Sequence, residues 1–162
     1  MFLKCAIITI KNFKFLILSM VGPITLLMLK HHEKINQILL DFEKVSNQDV
    51  KEFTKVFEQF KEKMEKHFFI EEMNIFPVSN KNNPTEVLRL KNLLKDHQDL
   101  REIVRNMEED VAGETKPETK ILRELLYAHE GREVQGFYPL LDMRLSEKDK
   151  STLVNNINEE KF

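Results

Sequence analysis

Two stretches of the chain repeat one another: His67-Phe68-Phe69-Ile70-Glu71, closing on Phe76-Pro77, and His129-Glu130-Gly131-Arg132-Glu133, closing on Tyr138-Pro139. Residues four apart in a helix lie one turn above each other on one face, so each His-x-x-x-Glu presents an imidazole and a carboxylate to the same point in space. That is the shape of a metal-binding half-site. The aromatic-Pro pair at the same offset after each Glu extends the likeness to the way each helix ends, and an internal repeat accounts for both.

The repeat has an upstream half in each copy, Met28 to Ile35 and Leu93 to Leu100. Setting His32 against His97 brings apolar residues to minus four and minus three, Lys to minus two, and Ile35 and Leu39 opposite Leu100 and Val104. Both histidines then fall in the apolar seam of an amphipathic helix, where a side chain points into the protein. His31 finds no such match and is expected to be exposed.

Apolar residues recur at helical spacing nearly throughout, and no segment shows sustained period-two alternation, so the chain is read as all-α. Pro23 is suited to the first turn of a helix running to about Val45. A second helix follows from about Asp49 to Ile75 and a third from Pro84 or Thr85 to about Val111. The fourth runs from about Glu118 to Met143. Ser146, with Asp149 three residues on, caps a short polar helix that could lie across the others. Four amphipathic helices with short polar links satisfy an up-down-up-down four-helix bundle. Residues 23–145 are read as that bundle and 146–162 as a short terminal helix and tail. Residues 1–22 are read as an apolar N-terminal extension, either an arm packed on the bundle or an upstream stretch before a start at Met20. Its charge-free run after Lys4, Lys11 and Lys14 faintly suggests a signal peptide or anchor. The run is shorter than a membrane span, is broken by Gly22-Pro23 and lacks an Ala-x-Ala cleavage site, so no membrane association is expected.

With Lys+Arg 25 against Asp+Glu 27, mixed along the chain, there is no basic stripe for nucleic acid. A single cysteine, Cys5, excludes an internal disulfide framework and suits a reducing, cytoplasmic setting.

In this bundle the middle of every helix carries one histidine: His32, His67, His97 and His129. A single buried histidine is more often a hydrogen-bonded core residue than a ligand. Four imidazoles together with Glu71 and Glu133 are another matter, because unpaired buried carboxylates cost several kcal/mol each. Divalent cations remove that cost. Imidazole nitrogen with carboxylate oxygen suits iron, manganese or zinc better than copper(I). Six ligands shared by two ions, with both glutamates bridging, leave coordination positions open on each ion.

These histidines and glutamates, with Phe76-Pro77 and Phe137-Tyr138-Pro139, resemble the hemerythrin-like (HHE cation-binding) domain over roughly residues 23 to 145. The resemblance implies a non-haem di-iron centre, oxo- or hydroxo-bridged, with His32, His67, His97 and His129 as nitrogen ligands and Glu71 and Glu133 as bridges. Zinc or manganese fits the same donors. Oxygen-carrying members have another histidine one turn after the third-helix ligand, where this chain has Arg101, and an aspartate five residues after the fourth-helix histidine. Four histidines and two glutamates look more like the repair-of-iron-centres proteins and related domains linked to nitric oxide and oxidative stress. Those proteins usually add an N-terminal cysteine-bearing domain.

The implied partner is a small oxidant such as dioxygen, nitric oxide or peroxide. The alternatives are a metal-stabilised module that binds a protein partner or a second copy of itself, and an iron storage or delivery protein. Among the neighbours, Glu72 and Glu130 are expected to be solvated and Arg101 to reach water, the alternative for Arg101 being a donor or gate behind the ligands. Tyr127 and Tyr138, with Phe68, Phe69, Phe76 and Phe137, are core candidates.

Overall fold

The computed structural model describes residues 21–162. Cys5, the apolar run up to Met20 and the alternative start there lie outside the described residues. Six α-helices follow one another: α1 Pro23–Lys44, α2 Val50–Ile70, α3 Pro84–Ala112, α4 Lys120–Arg132, α5 Tyr138–Arg144 and α6 Glu147–Glu159. No strand occurs among the described residues.

The second and fourth rods of the bundle each contain a break in α-geometry that periodicity does not reveal. A π-helical turn, Glu71–Ile75, follows α2, and another, Glu133–Phe137, joins α4 to α5. The amide of Phe76 bonds back to the Glu71 carbonyl and that of Tyr138 to the Glu133 carbonyl, five residues away in each case. Pro77 and Pro139 supply the cause. A proline lacks the amide hydrogen and presses its ring on the carbonyl four residues back, and a widened turn relieves that contact. The repeated aromatic-Pro pair is therefore the device that opens the helix just past each Glu.

Helix starts are fixed locally where the sequence offers a cap. Asp49 accepts from the Glu52 amide at 3.1 Å, Asn83 from the Thr85 amide at 3.0 Å, and Ser146 from the Asp149 amide at 3.2 Å. The start of α1 has no side-chain cap of its own. Asp142, 118 residues away on α5, fills the role, accepting from the amides of Ile24 and Thr25, each at 3.0 Å, and from the Thr25 hydroxyl at 2.6 Å. Gly22 makes room for it: a Cβ there would overlap the Asp142 carboxylate. At the other end of α1, Lys116 donates to the carbonyls of Glu43, at 3.0 Å, and Val45, at 2.6 Å.

The core is split in two. One cluster holds Leu39, Phe42, Phe53, Phe57, Phe60, Val104, Met107 and Leu122, and the other holds Ile24, Met28, Ile70, Leu93, Phe137 and Leu141. Going along the chain, α1 passes from the second cluster to the first, α2 returns, α3 repeats the first course and α4 with α5 the second. That is the up-down-up-down order expected from the pattern. The short α6 adds Leu153 and Ile157 to the second cluster and packs on α1. On α1, α3 and α4 a histidine lies between the residues of one cluster and those of the other, and on α2 His67 lies at the same boundary with Phe68 of the first cluster beside it.

Asp142→Ala removes both amide contacts at the start of α1 and is expected to lower stability by about 1–2 kcal/mol, read as a fall in the denaturant midpoint. Gly22→Ala, which displaces the same carboxylate, is expected to act in the same direction.

Candidate metal centre

All six expected side chains meet in the layer between the two apolar clusters, and none is more than 3 % exposed. The imidazoles form two pairs with ring centres 4.8 Å apart, His32 with His67 and His97 with His129. Each glutamate touches one member of each pair. Glu71 Oε2 lies 3.5 Å from His67 Nε2 and 3.1 Å from His97 Nε2. Glu133 Oε2 lies 3.1 Å from His32 Nε2, and its Oε1 3.2 Å from His129 Nε2. Ligand atoms of His67, Glu71, His129 and Glu133 all fall within 4.8 Å of one another, so the two copies of His-x-x-x-Glu meet face to face. Helix geometry supplies the local part, since the amides of Glu71 and Glu133 still bond to the carbonyls of His67 and His129 before the π-turns begin.

The hydrogen bonding of these groups fails in an informative way. His97 Nδ1 lies 2.8 Å from Glu72 Oε1, and His129 Nδ1 lies 3.4 Å from Asp96 Oδ2. Carboxylates only accept, so the proton of each ring sits on Nδ1 and the Nε2 lone pair faces the centre. There it meets Glu71 or Glu133, whose oxygens are also acceptors. Glu71 Oε2, both oxygens of Glu133, and Nε2 of His97 and His129 have no hydrogen-bond partner among the described residues. Acceptors facing acceptors, His97 Nε2 with Glu71 Oε2 at 3.1 Å and His129 Nε2 with Glu133 Oε1 at 3.2 Å, repel unless a cation lies between them. Two ligands at about 2.1 Å from one ion are separated by about 3.0 Å in octahedral and about 3.4 Å in tetrahedral coordination. The spacings are those of polyhedron edges, and the residues present fit divalent ions.

Charge leads to the same place. Burial, opposed by the Glu71 charge, lowers His32 to about 3, and burial drives His67 well below its ordinary value. Burial alone would raise Glu71, but His67 and His97 together hold it well below the usual carboxylate range. His67 can do so only while protonated, which its own burial opposes. A cation satisfies both. Glu133 is pushed well above its usual range by burial and then by the neighbouring Glu71 charge.

The hemerythrin HHE cation-binding domain family matches residues 24–144. The chain belongs to this family. Comparisons with curated proteins and with solved structures returned no match.

Around the core of the HHE domain lies a layer that sequence reasoning assigned wrongly. Glu72, expected in solvent, bonds His97 and is gripped by Arg101 Nη1 at 2.9 Å. Arg101 also holds Glu65 at 3.0 Å and lies over the Phe68 ring, so it neither extends freely into water nor touches the centre. Asp96, which had drawn no notice, bonds His129 and is held by Arg132 Nε at 2.8 Å. A signal existed, since Asp96 and Arg132 each lie beside a candidate ligand, but which carboxylate faces which ring is a property of packing. Tyr138 donates to Glu71 Oε1, whereas Tyr127 and Phe69 are about half exposed and outside the core. Phe68 and Phe76 both stack against His97, at 3.9 Å and 5.4 Å between ring centres, and help keep water from it. His31, expected to be exposed, is buried beneath the stacked ring of Phe162 at 3.8 Å.

Glu130 is the other correction. It accepts twice from Asn36 Nδ2, at 3.1 and 2.8 Å, while burial raises its pKa to about 7. Its folded value lies above its unfolded value, so its contribution to stability is complete below about 4.5 and is lost as pH rises toward 7. In the chelator-treated protein Glu130→Gln is expected to raise stability at pH 8, by on the order of 2 kcal/mol, and to change little at pH 4. Denaturant midpoints at the two pH values measure the difference.

Proposed function

We propose that this HHE-domain chain is a non-haem di-iron protein that binds or reacts with a small oxidant, dioxygen, nitric oxide or peroxide, in sensing, stress defence or iron-centre maintenance in the cytoplasm. The observation that carries the reading is the pair of imidazole pairs spanned by two carboxylates, with unpartnered acceptor atoms converging between them. His32, His67, His97 and His129 are the proposed nitrogen ligands, and Glu71 and Glu133 the proposed bridges. The working unit is taken as residues 23–145, with the helix in 146–162 appended to it.

Bound iron in a nitrogen and oxygen donor set supplies coordination of a small oxidant and exchange of electrons with it. The protein's share is preparation. Glu72 and Asp96 fix which ring nitrogen of His97 and His129 is free to donate its lone pair, an orienting contact of the kind that also raises ligand basicity. Arg101 and Arg132 hold those two carboxylates in turn. The Tyr138 hydroxyl, directed at Glu71 Oε1, holds one bridge by the oxygen that does not face His67 or His97. Phe68 and Phe76 make the surroundings of His97 apolar, which strengthens charge interactions and limits competing water. Four imidazoles and no fifth histidine near Arg101 favour reaction or sensing over reversible oxygen carriage, and this pattern looks more like the repair-of-iron-centres proteins than the carriers.

Metal analysis of anaerobically purified protein is expected to give about two irons per chain and a near-ultraviolet charge-transfer absorption that changes with nitric oxide or peroxide. His67→Ala and Glu133→Ala are each expected to lower the metal content; unchanged content in both would remove the ligand assignment. Full stability with zinc and no response to oxidants would instead favour a metal-stabilised interaction module. Rapid iron loss to a mild chelator would favour storage or delivery.

Glu72→Gln is expected to weaken iron retention about 10-fold to 100-fold in a chelator competition, with Arg101→Ala giving a smaller loss in the same direction.

A further inference from the structure

Outside the buried layer, a cavity of about 500 Å³ opens between α3 and the α4 rod, walled by Arg89, Asn92 and Leu93 on one side and by Gly131, Arg132 and Gln135 on the other. Its size is that of a site for a small organic molecule. Its charge is positive, since no acid lines it. Arg132 is already committed to Asp96. Arg89 is not: its nearest acids along α3, Glu86 and Asp96, are taken by Arg144 and Arg132, and no carboxylate among the described residues pairs with it. Its guanidinium lies where a Cβ of Gly136 would be, against the π-turn Glu133–Phe137, so the missing side chain there is explained by the arginine.

Gly131 has no such explanation. It lies near the end of α4, where glycine costs about 1 kcal/mol relative to alanine. Its φ is not positive, and a Cβ built on it meets nothing within 4 Å. No protein atom uses the space that this glycine leaves. That space belongs to the cavity.

We infer that this cavity is a binding site for a small planar organic carboxylate, seated by the Arg89 guanidinium and packed by its apolar body over Gly131, Leu93 and Ala128. A guanidinium fork matches a carboxylate in two parallel hydrogen bonds, and a charge without an internal partner is available to a ligand at no cost to the fold. Asn92 and Gln135 add amide groups for polar substituents, and the half-exposed Tyr127 ring forms one rim. The inference does not rest on the metal reading, because the cavity lies outside the six buried side chains.

The test is calorimetric titration of the metal-loaded full chain with benzoate, with benzamide as a neutral probe of the same shape and inorganic phosphate as a probe of charge alone. Benzoate is expected to bind once per chain with a dissociation constant below about 1 mM, and benzamide and phosphate at least about 10-fold more weakly. Arg89→Ala is expected to weaken benzoate about 10-fold or more, the cost of a lost charge-assisted pair. Gly131→Leu, which fills the cavity without touching backbone, is expected to abolish binding while thermal stability and metal content stay the same or stability rises. Absence of saturable benzoate binding up to about 10 mM overturns the inference. So does benzoate binding that is unchanged in both variants, or phosphate binding as tight as benzoate.

Discussion

Lone pairs that face lone pairs across about 3 Å, in a layer closed to water, are the constraint on which this bundle depends. Protons cannot reconcile them all, because the rings of His97 and His129 direct theirs away from the centre, at Glu72 and Asp96, and burial keeps His32 and His67 from taking a second one. Positive charge has to come from elsewhere. The two apolar clusters on either side of the layer raise the cost of leaving it unbalanced, since the low local dielectric that strengthens a satisfied ion also penalises a bare one. The packing of the fold and its affinity for cations are in that sense one property.

The π-turns show how a local irregularity serves this arrangement. Each glutamate is the first residue of its widened turn and its own amide still bonds to the histidine carbonyl four residues back, so its distance to that histidine is set by ordinary α-geometry. The chain beyond it is then displaced. In the fourth rod that displacement delivers Tyr138 to the opposite bridge, Glu71, and Asp142 to the start of α1. A straight continuation of α4 would change the register of both contacts. The prolines at 77 and 139 enforce the widening in each copy.

Much of this was legible in the sequence, for reasons of geometry. Helical period gave the rods, the i to i+4 offset gave His67 with Glu71 and His129 with Glu133, and the register of the repeat preferred His32 to His31. What escaped was everything decided by contact between distant segments. Glu72 and Asp96 lie beside candidate ligands, and a helical wheel turns them away from the ligand face. They meet His97 and His129 because they come from neighbouring rods, not from the ring's own helix. Asp142 as the cap of a helix 118 residues upstream, Phe162 covering His31 and Asn36 holding Glu130 are likewise products of assembly. The widened turns were hidden because the aromatic-Pro signature reads equally well as a helix end.

The contacts of the two glutamates also carry a genealogical implication. The first hairpin supplies the His32 and His67 pair, the second the His97 and His129 pair, yet Glu71 reaches across to His97 and Glu133 across to His32. Each hairpin completes its neighbour's half as well as its own. A lone ancestral hairpin with one carboxylate could build this arrangement only by embracing its twin, and the polar link at 79–83 is where such twins would have been sewn into a single molecule.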